Sequence, residues 1–310
     1  MKSFHIIVSF FVKVKTILQK TVGCGMIFSE GVIDMTIFCD MHTHSHHSFD
    51  AKSSVDEMCR AAIGRGLEAL AVTDHCEAPF IRFGADCEIG CFDELIPQSF
   101  ADATAARERY AGRLKVLRGL ELGEPTHDRA ATAHALAYGD FDFVLASVHN
   151  IKNMQDFYYM NYSGVDVDGL LARYFDELCE TASFEHFDSL SHLTYPLRYI
   201  VAGTGRFPDL SVHADAIDTI FKILIKNQKA LEINVSGLFK ELKTTLPDVT
   251  LVRRFRELGG QYITIGTDAH SADMVGRGIG EGIAVAKEAG FSQYVIYEKH
   301  RPIKIDINEE

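Results

Sequence analysis

The chain has 310 residues, 47% of them hydrophobic and 24% charged, with a formal net charge of −12. That apolar share builds a large core and excludes an intrinsically disordered chain, while the length suits one α/β barrel. The acidic balance, with Lys and Arg scattered and no basic stripe, excludes a nucleic-acid binder, although cations held in a site would reverse the local field for a phosphate group.

Residues 1–34 are apolar in part, but Lys13 and Lys15 interrupt the run well below the ~20 residues of a membrane span. A signal peptide needs its charge first and a small-residue cleavage site after its apolar stretch, which Lys2 and "VGCG" match only weakly. This segment is expected to be a non-essential N-terminal extension. Met35 makes a natural beginning for a single domain over 35–310.

From there β-rich runs alternate with amphipathic ones. Residues 36–42 (TIFCDMH) read as the first strand. A helix follows over 53–66, where Ser54 and Glu57 form a capping box and Gly66 closes the end. Residues 67–75 read as the second strand, 92–113 as helix, 114–124 as the third strand and 141–150 as the fourth. Then come helix 167–183, strand 187–193, helix 211–228 capped by Ser211, strand 230–237, and a helix over 246–260 with Pro near its first turn and Gly after its end. Residues 262–270 form the last strand and 279–291 the last helix, and 294–305 adds an edge strand. Strands joined by helices make a parallel sheet with right-handed crossovers. Seven such β units predict an α/β fold closed as a distorted TIM-like barrel.

Seven cysteines without regular spacing do not form a disulfide framework, and Cys87 with Cys91 is too isolated for a zinc site. They read as free thiols in a reducing cytoplasm. Cys76 follows a key histidine, but a packing role is expected of it.

The unusual residues fall at one kind of place. "CDMHTHSHHSFD", residues 39–50, holds four histidines. His42 and His44 end the first strand, two apart and so on one face. Asp50 lies on the next loop. His75 ends the second strand, Glu121 the third and His149 the fourth. His192 follows the fifth, and Asp268 and His270 end the last. In a β/α barrel these carboxyl ends meet at one mouth. A lone histidine there reads as a core or loop residue. Nine convergent imidazoles and carboxylates, buried without a cation, would cost several kcal/mol each, so two or three divalent metals are predicted, with Zn, Fe or Mn better suited to this donor set than Mg. Glu121 suits a bridging role between metals.

The segments "DMHTHSHHSFD", "VTDH", "GLELGE", "SVH", "SHL" and "GTDAH" resemble the PHP (polymerase and histidinol phosphatase) family of metal-dependent phosphoesterases, most closely its histidinol-phosphatase branch. The likeness runs from Met35 to about residue 290. It implies a distorted (β/α)₇ barrel with a trinuclear metal site. His42, His44, Glu121 and Asp268 would bind one metal, Glu121, His149 and His192 a second, and Asp50, His75 and His270 the third. Some relatives have His where this chain has Asp50. His46 and His47 have no counterpart as ligands and read as loop residues near the mouth. Relatives place an arginine shortly after the fifth-strand histidine, which matches Arg198, a planar fork for phosphate oxygens; a surface salt bridge is the plainer alternative. Those relatives more often show Asp where this chain has Thr194 and Tyr195. Lys152, just after His149, is a weaker phosphate candidate.

The implied activity is that of a phosphoric monoester hydrolase. L-histidinol phosphate would be cleaved to L-histidinol and phosphate, in histidine biosynthesis, by a metal-bridging hydroxide, with Asp268 and Glu121 as catalytic residues. The partner is then a small phosphate ester, not nucleic acid or a membrane, and the oligomeric state is left open. The alternatives are a PHP enzyme acting on nucleotides or phosphodiesters, a metal-dependent amidohydrolase, against which Glu121 and "TDH" speak, and a non-catalytic metal-binding domain, against which the full ligand set speaks.

Overall fold

The structure is a computed structural model and describes residues 38–77 and 92–307. Residues 1–34, read above as an extension, lie outside the described residues, as do Cys24, Cys87 and Cys91.

Eight short strands build one parallel sheet: β1 (Cys39–Asp40), β2 (Ala69–Val72), β3 (His75–Glu77), β4 (Lys115–Gly123), β5 (Phe143–Ser147), β6 (Ser189–Leu190), β7 (Ala230–Asn234) and β8 (Ile263–Gly266). The order is β1-β2-β4-β5-β6-β7-β8, with β3 also on β4. The two ends of this path meet. The Met41 amide donates to Ile265 O at 2.9 Å, the Asp268 amide to His42 O at 2.8 Å and the His44 amide to Ala269 O at 2.8 Å. Thr43 and Ala269 form a parallel bridge there. The seven-unit distorted barrel expected from the sequence is the fold.

The helices are α1 (Val55–Gly64), α2 (Phe92–Arg109), α3 (Arg129–Leu136), α4 (Val167–Ala182), α5 (Leu197–Thr204), α6 (Ala214–Lys226), α7 (Val249–Glu257) and α8 (Ile279–Glu288). Every residue of β2, β5, β7 and β8 is buried. That is the signature of a parallel sheet covered on one face by helices and filled on the other. Phe143, Phe187, Phe221 and Phe255 are among its largest fully buried side chains, each stabilising by roughly 1.5–3 kcal/mol. The Ser54–Glu57 capping box is present in both directions, and Gly66 follows α1 with φ +76°. Cys76 is buried in the main core, as a packing residue would be. No helix among the described residues is long and apolar enough to cross a membrane.

Five features differ from the sequence reading, the first being helix α5 between the fifth strand and α6, where no helix was expected. The second strand is two pieces, interrupted at Thr73 and Asp74, although the Thr73 amide still donates to Thr43 O at 2.8 Å and Asp74 O accepts the Glu121 amide at 3.1 Å. The register to β4 is the same on both sides of that break, Val72 facing Arg118 and His75 facing Glu121. An unforeseen short helix, α3, follows the third strand, capped by Asp128, which accepts from the Ala130 and Ala131 amides. The chain ahead of α6 forms a turn of 3-10 helix at Leu210–His213, and its cap is Asp209 accepting from the Ser211 amide, rather than Ser211 itself. The last segment is not one edge strand but an antiparallel hairpin, β9 (Gln293–Glu298) and β10 (Arg301–Asp306), in a separate sheet. Lys299 and His300 both take positive φ, 52° and 59°, as a two-residue hairpin turn requires. Neither is a usual turn residue, so the turn left no mark in the composition.

The seam between β8 and β1 depends on close approach. A Cβ on Gly266 would stand 2.4 Å from His42 Cβ and 2.5 Å from Glu232 Oε1. Gly266→Ala is therefore expected to destabilise the barrel by about 1–3 kcal/mol through overpacking, read as a lower urea midpoint with the slope unchanged. An unaltered midpoint would mean that the seam opens without cost.

Candidate metal centre

Glu121 stands on β4 with its side chain turned into the barrel mouth and fully buried. Its Oε2 lies 3.4 Å from His42 Nε2, 3.5 Å from His44 Nε2 and 2.8 Å from His75 Nδ1. Its Oε1 lies 2.9 Å from His192 Nε2 and 3.3 Å from His149 Nε2, and accepts the Ser147 hydroxyl at 2.6 Å. One carboxylate thus faces five imidazoles that arrive from β1, β3, β5 and β6.

The remaining predicted residues join this cluster. Asp268 has φ 55°, which turns it back toward the mouth just after β8. Its Oδ1 is 3.3 Å from His44 Nε2 and 3.8 Å from His42 Nε2. Asp50 reaches His270 Nε2 at 3.1 Å and His75 Nε2 at 3.7 Å. The His44 ring packs on those of His75 and His270, at 4.2 and 4.3 Å. All nine residues named from the sequence meet at one end of the barrel, in one continuous cluster.

A frame of buried acids orients them, and most of it was not foreseen. Glu232 on β7 accepts at 2.7 Å from His42 Nδ1 and takes the His192 amide at 2.7 Å. Asp74 accepts the Ser45 amide and the Ser45, Ser48 and Ser99 hydroxyls, which pins the loop carrying His44 and Asp50. Glu77 faces His149 Nδ1 at 3.2 Å, and Glu124 takes the His149 amide at 2.6 Å. The signal for Glu232 was available: a lone acid inside the buried run Ala230–Asn234 needs a partner. Asp74 gave no comparable signal, because residues 67–75 read as one strand.

The electrostatics call for positive charge. Burial pushes Glu121 up, but the charges of His42, His75 and His149 outweigh it and hold the carboxyl well below its usual range. Burial likewise opposes the ionised form of Asp268, and His44, His42 and Arg198 together hold it well below the usual value. Burial lowers His75, yet Glu121, Asp50 and Glu77 raise it to about 9. His44, buried and beside His75 and His270, drops to about 3. The acids of the mouth draw protons onto some rings while crowding keeps them off others. A cation resolves that conflict for all of them. The donor atoms fit one: His42 Nε2, His44 Nε2, His75 Nδ1 and Glu121 Oε2 are buried and make no hydrogen bond. Several triads here, among them His42–His44–Asp268, His42–Glu121–His192 and His75–Glu121–His149, place their ligand atoms within 4.8 Å of one another.

The centre opens into a cleft of about 510 Å³. Arg198 lines it and is only 7% exposed, so the surface salt bridge considered for it does not describe this arginine. It donates from Nη2 to Asp268 Oδ2 at 3.0 Å and also to the Ser236 hydroxyl, and its Nε is buried without a partner. Lys152 is exposed and does not line the cleft; Lys240, which the sequence reading passed over, does. His46 and His47 stand outside it, His47 paired with Asp102 at 2.9 Å.

Comparison with known proteins agrees with this geometry. A family model for the PHP domain matches residues 40–236. The chain is 29% identical to a probable histidinol-phosphatase of Thermotoga maritima, over 83% of this chain and 94% of that one. It is also 29% identical to the histidinol-phosphatase of Lactococcus lactis subsp. lactis, over 87% and 97%. A crystal structure of histidinol phosphate phosphatase from Lactococcus lactis, complexed with zinc, L-histidinol and phosphate, superposes with a TM-score of 0.72 at 25% identity, covering 86% of this chain and 99% of that one. With its matched segment spanning most of the barrel and its polar residues gathered at the mouth, the chain belongs to the PHP domain family.

Proposed function

We propose that the protein is a metal-dependent histidinol-phosphatase, hydrolysing L-histidinol phosphate to L-histidinol and phosphate in histidine biosynthesis. The observation that carries this is the buried carboxylate Glu121 facing five imidazoles at the mouth of a barrel, together with relatives of that activity matched over more than four-fifths of the chain. The free thiols Cys39, Cys59, Cys76 and Cys179 suit a reducing cytoplasm.

His42, His44, Glu121 and Asp268 would hold one ion, Glu121, His149 and His192 a second, and Asp50, His75 and His270 a third. The mixed imidazole and carboxylate set suits Zn, Fe or Mn. Bound cations would supply Lewis-acid polarisation of the phosphoryl oxygens and acidify the water that attacks. The chain's own groups do the rest. Glu121 shares its two oxygens between two sets of imidazoles and so fixes their spacing. Glu232 and Glu77 hold the Nδ1 atoms of His42 and His149 and leave Nε2 pointing inward, which also makes the rings better donors. Asp268, kept ionised by its neighbours, takes the proton of the attacking water on Oδ1 and returns it to the leaving alkoxide oxygen. Arg198 and Lys240 bring positive charge to the phosphate, Arg198 through its planar fork.

Three measurements test this. Phosphate release from histidinol phosphate should exceed that from mononucleotides and from a phosphodiester by at least an order of magnitude in kcat/KM; a diester preference would place the chain with the nucleotide-acting members of the family. Glu121→Ala and Asp268→Ala should each abolish turnover and lose metal, read by elemental analysis of the purified variants; full metal content with near-normal kcat would contradict the ligand assignment. Arg198→Ala should raise KM for phosphomonoesters about tenfold or more with the metals retained, the scale of a lost charged hydrogen bond. An unmoved KM would show that Arg198 acts only on Asp268.

A further inference from the structure

Two histidines of the loop between β1 and α1, His46 and His47, take no part in the centre and do not line the cleft. His47 is buried and turns its Nε2 to Asp102 Oδ2 at 2.9 Å. His46 is exposed, and its ring packs on that of His47 with centroids 4.1 Å apart. One ring nitrogen of each histidine and one carboxylate oxygen of Asp102 fall within 4.8 Å of one another. The backbone that presents them is fixed. The His46 amide donates to Ser53 O at 2.8 Å, and the His47 amide to the Ser45 hydroxyl at 3.3 Å, which itself donates to Asp74 at 2.7 Å. Asp102 stands on α2, three residues beyond Ser99, whose hydroxyl also donates to Asp74, at 2.5 Å. Residues three apart share a helix face, so one face of α2 meets both Asp74 and the histidine pair. Among the described residues, no Lys or Arg pairs with Asp102, and no hydrogen bond or ion pair holds the His46 ring.

We propose that His46, His47 and Asp102 form a peripheral zinc site, separate from the centre, that clamps the β1–α1 loop to α2. Two imidazoles and a carboxylate suit zinc, with water completing the tetrahedron. Ligand atoms about 2 Å from such an ion stand roughly 3.3 Å from one another. His47 and Asp102 are already near that separation, and His46, exposed and unheld, closes the remainder by turning its side chain between rotamers. The ion takes the place of the proton between His47 Nε2 and Asp102, as metal binding to imidazole displaces protons. The site differs in kind from the centre. The central donors are buried and converge on Glu121, whereas His46 and Asp102 open to solvent, so an ion here exchanges readily. The loop it holds also carries His44 and Asp50, on either side of the pair, so a bound ion ties the placement of two central donors to α2. Zinc binds at such a site whether or not the substrate is histidinol phosphate.

The test dialyses the full chain, with its central metals in place, to equilibrium against micromolar free zinc, and reads zinc per chain by elemental analysis. Wild type is compared with His46→Ala and Asp102→Asn. The first truncates an exposed side chain, and the second leaves His47 an amide oxygen to bond, so both variants should keep the wild-type urea midpoint. Each is expected to hold about one zinc per chain fewer than wild type, the loss of a single site. After free zinc is removed, all three should retain the same tightly held metal, which separates this site from damage to the centre. Equal zinc in all three proteins at dialysis equilibrium would overturn the proposal. So would a loss in Asp102→Asn that His46→Ala does not share, because the triad then has no part for His46. A shortfall that persists after the free zinc is removed would place the lost ion in the centre and overturn it as well.

Discussion

A fully buried carboxylate set among five imidazoles is the constraint on which this molecule turns. Glu121 has no access to water, and no hydrogen bond satisfies its Oε2. Left alone, such a charge would cost several kcal/mol. Charge must come from the rings or from cations, and His42, His44, His75, His149 and His192 are gathered around it for that purpose. The strands that deliver those rings must end level with one another. The closed barrel, the short strands and the tight seam all follow from that demand.

Around the first ring of side chains lies a second one of acids, and its placement shows how the barrel keeps the donors aimed. Glu232 fixes His42 and the backbone of His192 at once, although they belong to different strands. Asp74 gathers three serine hydroxyls and an amide to hold the loop from His44 to Asp50. Arg198 pairs with Asp268 while lining the cleft, so one residue joins the centre to the space where a phosphate group would lie. Because Gly266 has no Cβ, His42 and Glu232 can approach across the seam. These contacts couple the stability of the fold to the geometry of the site.

Much of this was legible before the fold was known. Parallel strands buried on both faces appear as short apolar runs, and the helices between them carry caps such as Ser54 with Glu57. The ligand candidates stood out because each sits where an apolar run stops. Less visible were residues whose importance depends on a neighbour far along the chain. Glu232 is one acid in an apolar strand, and its partner His42 is 190 residues away. Lys152 and Lys240 look alike as cations; only the path of the loops leaves one outside and brings the other to the cleft. The hairpin of β9 and β10 turns on Lys299 and His300, neither of them the Asn, Asp or Gly that marks such a turn in a sequence.

The sequence by itself determined the order of the seven β units of the barrel and the inventory of donors, since periodicity, caps and strand ends are local properties written in neighbouring residues. Only the tertiary structure decided which oxygen of Glu121 faces which ring, and that Asp268 shares its carboxylate between His44 and Arg198. Those facts depend on barrel closure, which sets distances among residues that no local rule relates.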